Sequence, residues 1–204
     1  MDAEPGPLQG TVTPVVDRTI VLVGLMGAGK TAVGRRLAAR LHLPFVDADQ
    51  EIEAAAGCSI TDIFALHGEQ AFRDGERRVI ARLLDDPPQV LATGGGAWMD
   101  PETRAKTQER AVSVWLRADF EVLLKRVARR NNRPLLRGKD HGQVLRELQA
   151  TRYPVYALAD ITVDTEDCPL ETTVDRVVHA IVGYMANHSD RHAPGRAATG
   201  GAHG

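Results

Sequence analysis

Cysteine is nearly absent from this chain. Its 204 residues carry only Cys58 and Cys168, too few for a disulfide framework and too far apart for the CxxC spacing of a redox or zinc motif. That usage predicts a reducing compartment. Long apolar runs are also missing: stretches such as Ile20 to Val23 fall far short of the roughly 20 residues that cross a bilayer. Met1-Asp2-Ala3-Glu4 lacks the basic start and apolar stretch of a secretory signal, so the sequence predicts a cytoplasmic protein with no membrane contact. Neither sign of charge dominates. With 25 Lys and Arg against 27 Asp and Glu, the formal charge is -2, and no overall cationic field argues for nucleic acid. Solenoid repeats are absent too. What is present, 43% apolar and 25% charged residues, suits a soluble domain able to bury a core, and the length favours one domain.

The ends differ from the middle. Residues 1–18 contain Pro5, Gly6, Pro7, Gly10 and Pro14 with no apolar periodicity, which predicts a disordered leader, and residues 187–204 read as a similar tail. One α/β domain is expected over residues 19–186. Ile20-Val21-Leu22-Val23 reads as a strand buried on both faces, and Val33, Leu37, Ala38 and Leu41 mark a helix that Pro44 stops before a strand at Phe45-Val46-Asp47. Val90–Ala92, Ala111–Leu116 and Ile161–Val163 supply three more strands, with gaps long enough for crossover helices. Five parallel strands follow. Val174, Val177, Val178, Ile181, Val182 and Met185 form the apolar stripe of a last helix.

Gly24-Leu25-Met26-Gly27-Ala28-Gly29-Lys30-Thr31 fits GxxxxGK[ST], between a buried strand and an amphipathic helix. Its glycines let the backbone turn sharply and aim N–H groups at an anion, and the helix N-terminus adds positive charge. Lys30 is expected on the β and γ phosphates, and the Thr31 hydroxyl on Mg²⁺. Nucleotide binding follows, though the loop alone does not separate kinase, GTPase or regulator.

Asp47-Ala48-Asp49 ends the second strand beside that loop, where open α/β sheets bind ligands. One reading has Asp47 facing Mg²⁺ through water and Asp49 facing an acceptor hydroxyl. The other makes the pair an acidic cap on a helix from Gln50 to Ala56. Gly94-Gly95-Gly96 follows the third strand at the same sheet edge, where bare backbone can approach a small polar ligand and donate N–H groups. Arg73 sits in a helical stretch and, taken alone, reads as a surface residue. Arg126, Arg129, Arg130, Arg133, Arg137 and Lys139 form a basic run broken by Asn131, Asn132, Pro134 and Gly138. Such a run can be solvated surface or a nucleic-acid patch, but its breakers and few neighbouring aromatics favour a lid closing over a triphosphate.

GLMGAGKT, FVDAD, FRDGE, ATGGGA, NRPLL and RYPVY, in that order and spacing, resemble the shikimate kinase family over about Thr19 to Tyr184. The resemblance implies a three-layer P-loop fold like that of nucleoside monophosphate kinases, with lid and substrate-binding helices. It also implies transfer of the ATP γ-phosphate to the 3-hydroxyl of shikimate, in chorismate and aromatic amino acid biosynthesis. By matching motif, Gly27, Ala28, Gly29, Lys30 and Thr31 would serve ATP, and Thr31 and Asp47 the Mg²⁺. Asp49 would bind the shikimate hydroxyl as candidate base, Arg73 and Arg152 the shikimate carboxylate, and Gly94, Gly95 and Gly96 the wall of that site. Arg133 would reach ATP phosphate from the lid as a catalytic group, and Arg126 would neighbour adenine. Bidentate arginine forks suit a planar carboxylate, so the chemistry agrees. Thr31 stands where relatives often carry serine, and either hydroxyl suits Mg²⁺.

Two other classes share the cradle: a kinase for gluconate or a nucleoside monophosphate, and a nucleotide-gated regulator. A neutral sugar needs no pair of carboxylate-binding arginines, and Asp49 and the lid suit an acceptor pocket better than a switch. His188, His192 and His203 fall in the predicted tail and receive no role. A monomer is expected, since no apolar stripe is left unassigned.

Overall fold

All five residues of the first strand, β1 (Thr19–Val23), are buried, as continuous burial on both faces demands of a helix-covered parallel strand. The computed structural model describes residues 16–128 and 140–188. Within them β2 (Phe45–Asp47), β3 (Val90–Ala92), β4 (Ala111–Arg117) and β5 (Ile161–Asp164) join β1 in one sheet of order β2-β3-β1-β4-β5. Every neighbouring pair is parallel, with Val21 opposite Leu91 on one side and Ser113 on the other. All five predicted strands are present, and helices surround them.

Helix α1 (Lys30–Leu41) turns Val33, Leu37, Ala38 and Leu41 into the core and packs against the last helix, α7 (Leu170–His188). Helix α2 (Ala48–Ala56) packs against the long α3 (Ile60–Leu83). Ile52, Ile63 and Phe72 form a small apolar cluster between these two. Ser59 caps α3 by accepting from the Asp62 N–H, and the helix kinks at Gly68, whose φ of 80° only glycine adopts without strain. After β3 a short 3-10 turn, Ala97–Met99, leads into α4 (Pro101–Arg110) beneath β4. Helices α5 (Phe120–Ala128) and α6 (His141–Tyr156) pack together.

Several boundaries differ from the sequence reading. Val16, inside the predicted leader, is buried in the core. Helix α7 runs to His188, whose ring stacks on Tyr184 at 4.1 Å and whose Nδ1 bonds the Tyr184 carbonyl. Val174, Val177 and Ile181 are its buried stripe, whereas Val182 is exposed. Residues 1–15, 129–139 and 189–204 lie outside the described residues, and with them Arg133 and most of the predicted lid.

Candidate active site

The phosphate loop leaves the carboxyl end of β1, the central strand, where the sheet order reverses and ligands collect in open α/β folds. Gly24 and Gly29 have φ of 146° and 98°. A side chain at Gly24 would stand 2.8 Å from the Leu116 carbonyl oxygen, so only glycine fits. Gly29 is the N-cap of α1 and no side chain caps it, which leaves first-turn N–H groups for an anion. Lys30 Nζ lies across the loop, donating to the carbonyls of Gly24 at 2.7 Å and Leu25 at 3.1 Å. The Thr31 hydroxyl donates to Asp47 Oδ2 at 3.2 Å. Arg126, on α5 and not in a loop, reaches the carbonyls of Gly27 and Ala28 and donates to the Glu166 carbonyl at 2.9 Å.

Asp47 and Asp49 are not arranged as two strand-end carboxylates. Asp47 is the N-cap of α2, accepting from the Asp49 N–H at 3.1 Å, so Asp49 stands in the first turn of a helix beginning at Ala48. The preference of Asp for helix starts decides this, and the capping carboxylate also accepts from the Thr31 hydroxyl.

Around Asp49 the cleft closes in. A Cβ on Gly94 would lie 2.9 Å from both Asp49 Oδ1 and Glu76 Oε1, one on Gly95 3.2 Å from an Arg152 guanidinium nitrogen, and one on Gly96 would collide with the Arg73 guanidinium. The triple glycine is what lets these charged heads crowd the backbone. Arg73, on α3, donates to Glu76 Oε2 at 2.7 Å and to Glu69 at 3.3 Å, and its guanidinium lies 5.1 Å from the Phe72 ring centroid. Arg73 is thus not an unpaired surface arginine. Arg152 comes from the last turns of α6. These groups and the phosphate loop line one cleft of about 1130 Å³.

Glu76, the last residue of FRDGE, received no role from the sequence. Its side chain is 4% exposed against 32% for Arg73. Burial pushes the Glu76 carboxyl above the usual range; the Arg73 hydrogen bond and charge oppose this, and the Asp49 charge adds to it. Burial pulls the Arg73 value down, but Glu76 and Glu69 outweigh that and raise it. An arginine stays charged at any pH of interest, so the group of this pair that titrates is the Glu76 carboxyl, held above its ordinary range by burial. Tyr156, wholly buried, has its phenol pushed up to about 12, chiefly by burial.

The shikimate kinase family profile matches residues 26–182. The chain belongs to the shikimate kinase family. The shikimate kinase of Caulobacter vibrioides is 62% identical over 170 residues, 83% of this chain and 85% of that protein. The shikimate kinase of Paramagnetospirillum magneticum is 59% identical, covering 83% and 87%. A solved structure of shikimate kinase from Acinetobacter baumannii in complex with shikimate superposes with a TM-score of 0.78 at 38% identity, over 83% of this chain and 95% of that one. The fold is therefore the P-loop α/β fold of this kinase family, and the chain is an ATP-using phosphotransferase that phosphorylates shikimate. No helix among the described residues is long and apolar enough to cross a membrane.

Of the residues singled out in the sequence, Gly27, Ala28, Gly29, Lys30, Thr31, Asp47, Asp49, Arg73, Gly94, Gly95, Gly96, Arg126 and Arg152 all line the cleft. Arg133 is outside the described residues. Glu76 and Phe64 line the cleft as well without having been singled out. The spacing of Glu76 from Arg73, one helical turn, is the signal that could have found it.

Proposed function

We propose that the chain transfers the ATP γ-phosphate to the 3-hydroxyl of shikimate with its acceptor held between Asp49 and an arginine pair. Lys30 and the uncapped N–H groups of α1 hold the β and γ phosphates. Asp49 accepts a hydrogen bond from the 3-hydroxyl. As that oxygen bonds to the γ-phosphorus and the bond to ADP breaks, the hydroxyl proton passes to Asp49. Arg73 and Arg152 grip the shikimate carboxylate, and the Gly94–Gly96 backbone forms the wall against the ring. Arg126 borders the adenine, and Arg133 completes the charge around the phosphates.

Thr31 and Asp47 offer a hydroxyl and a carboxylate 3.2 Å apart at the phosphate loop. Two hard oxygens suit Mg²⁺, which binds through one or two protein groups, phosphates and water. Once bound, Mg²⁺ neutralises charge on the β and γ phosphate oxygens. We also read the protein as a cytoplasmic monomer acting on small molecules, without nucleic-acid or membrane partners.

The observation that carries the assignment is the meeting of Asp49, Arg73 and Arg152 at the triple glycine, in the same cleft as the phosphate loop. A coupled ADP-release assay with ATP, Mg²⁺ and a panel of shikimate, quinate, gluconate and nucleoside monophosphates tests it. Turnover should be confined to shikimate and lost in Lys30→Met, with Arg73→Ala raising the KM for shikimate. Acceptor-independent ATP binding without turnover would move the protein into the regulatory class.

A further inference from the structure

Helix α3 is started by two side chains, and one of them belongs to another helix. Ser59, its own N-cap, accepts from the Asp62 N–H at 3.1 Å and donates its hydroxyl to Asp62 Oδ2 at 2.6 Å. The Ile60 N–H is one of the donors that a first turn leaves without an intrahelical partner. It goes to Glu53 Oε1, on α2, at 2.9 Å. Glu53 also closes its own helix, since its backbone carbonyl accepts from the N–H of Gly57, the left-handed C-cap of α2. One residue therefore holds both ends of the turn from Gly57 to Ser59.

That turn joins two walls of the cleft. Asp49 and Glu53 stand one helical turn apart on α2, and both line the cleft. Ile60, Thr61 and Phe64 line it from the first turns of α3, before the kink at Gly68. The Phe64 ring centroid lies 4.6 Å from that of Phe72, the neighbour of Arg73.

We propose that Glu53 is a positioning residue for the acceptor: through the Ile60 N–H it holds the first turns of α3, with Phe64, at a set distance from the face of α2 that bears Asp49.

Apolar packing leaves this task undone. A cavity of about 420 Å³ opens between α2 and α3, lined by Ile52, Ala55, Cys58, Ala71, Phe72 and Val79 among others. Close-packed surfaces hold helices at one spacing, whereas a void between them leaves room for a shift, and a directional bond supplies the missing restraint. At the far end of the pair Arg82 donates to Glu51 at 2.8 Å, but these side chains are 59% and 39% exposed, where an ion pair restrains little. The bond from Ile60 to Glu53 is partly buried. Its acceptor is a carboxylate at the positive end of α3, which strengthens it.

This inference rests on the reading that Asp49 holds the acceptor from α2, and the test separates the two. Glu53→Ala, Glu53→Gln, Ile60→Pro, Ile60→Ala and the Glu53→Ala/Ile60→Pro double variant are compared in the full chain, with Asp49→Asn as reference. The KM for shikimate, the KM for ATP, kcat and thermal unfolding are measured for each. Glutamine keeps an acceptor oxygen and loses the charge. Proline at the first helical position removes the donor without breaking the helix, and Ser59 before it already has extended backbone. Ile60→Ala keeps the donor and controls for the lost side chain.

Glu53→Ala should raise the KM for shikimate about 5- to 10-fold, the scale of one hydrogen bond to a charged group, with the KM for ATP moving less than about twofold. Glu53→Gln should restore it to within about twofold of the wild type. Ile60→Pro should raise it beyond Ile60→Ala by a factor like that of Glu53→Ala, and add nothing in the Glu53→Ala background. Equal losses in Glu53→Gln and Glu53→Ala would show that the charge meets a ligand directly and overturn the proposal. Effects that multiply in the double variant, or a lowered Tm with an unchanged KM for shikimate, would overturn it too, the latter leaving the bond a stabilising contact alone. Should Glu53→Ala fail to fold, Ile60→Pro against Ile60→Ala decides in the same way. An unchanged KM in the Glu53 variants beside an impaired Asp49→Asn would overturn the proposal and spare the reading, whereas a fully active Asp49→Asn would remove both.

Discussion

Glu76→Gln is the substitution that separates stability from function most sharply at this site. Removing one partner from a fully buried ion pair costs about 3–5 kcal/mol, because the other charge is stranded. Three features here reduce that figure. Arg73 is a third exposed, Glu69 remains as a second carboxylate, and glutamine keeps an acceptor oxygen at nearly the same place. A fourth reduces it further: burial and the charge of Asp49 make the Glu76 carboxylate costly to ionise, so a neutral amide there relieves that cost. The net change in stability at neutral pH should therefore fall within about 1 kcal/mol of zero, a Tm shift of no more than about 4 °C for a domain of this size. Binding should respond differently, since Arg73 loses its strongest restraint, and the KM for shikimate should rise about 10-fold.

The pH dependence gives an independent check. Glu76 holds its proton more tightly folded than unfolded, so the wild type gives up stability as pH climbs from the ordinary glutamate range through the raised value. The variant, having no proton to lose there, should gain on the wild type over that window and keep the gain above it. Thermal unfolding from pH 4 to 8, paired with steady-state kinetics, reads both effects. A Tm fall of more than about 10 °C with an unchanged KM would refute the reasoning and make the pair a stabilising contact with no part in binding.

Asp49→Asn should lower kcat by about 100-fold or more with a smaller change in the KM for shikimate, the pattern of a lost proton acceptor. Near-normal turnover with weakened binding would reduce Asp49 to an orienter. Gly96→Ala brings a methyl group into the Arg73 guanidinium and should raise the KM for shikimate at least about 10-fold, measurable in the same coupled assay. Gly75→Ala is its contrast: within α3, with nothing within 4 Å of the new methyl, it should stabilise the domain by about 1 kcal/mol, read as a small rise in Tm.

The strands were legible because runs such as Ile20–Val23 and Ala111–Leu116 have one physical explanation, burial between two helical layers. The phosphate loop was legible because its glycines answer to backbone geometry fixed by the next helix. Asp49 was harder. Its position depends on where α2 begins, and the Asp47 side chain decides that by capping Ala48 onward. Glu76 was hidden by its own chemistry: glutamates are mostly exposed, and only the fold brings α3 against the triple glycine to bury this one. The end of α7 was misjudged because a tail rich in small and polar residues begins immediately after His188, whose ring extends the helix by stacking on Tyr184.

Asp47 has both carboxylate oxygens engaged at once. One accepts from Thr31 in the first turn of α1, and the other from the backbone that starts α2. A single side chain thus belongs to the nucleotide side and the acceptor side together. A change at the Thr31 hydroxyl therefore changes what Asp47 accepts, at the residue that starts the helix on which Asp49 stands. By thermodynamic necessity such a linkage is reciprocal: any factor by which ATP strengthens acceptor binding is the factor by which the acceptor strengthens ATP binding.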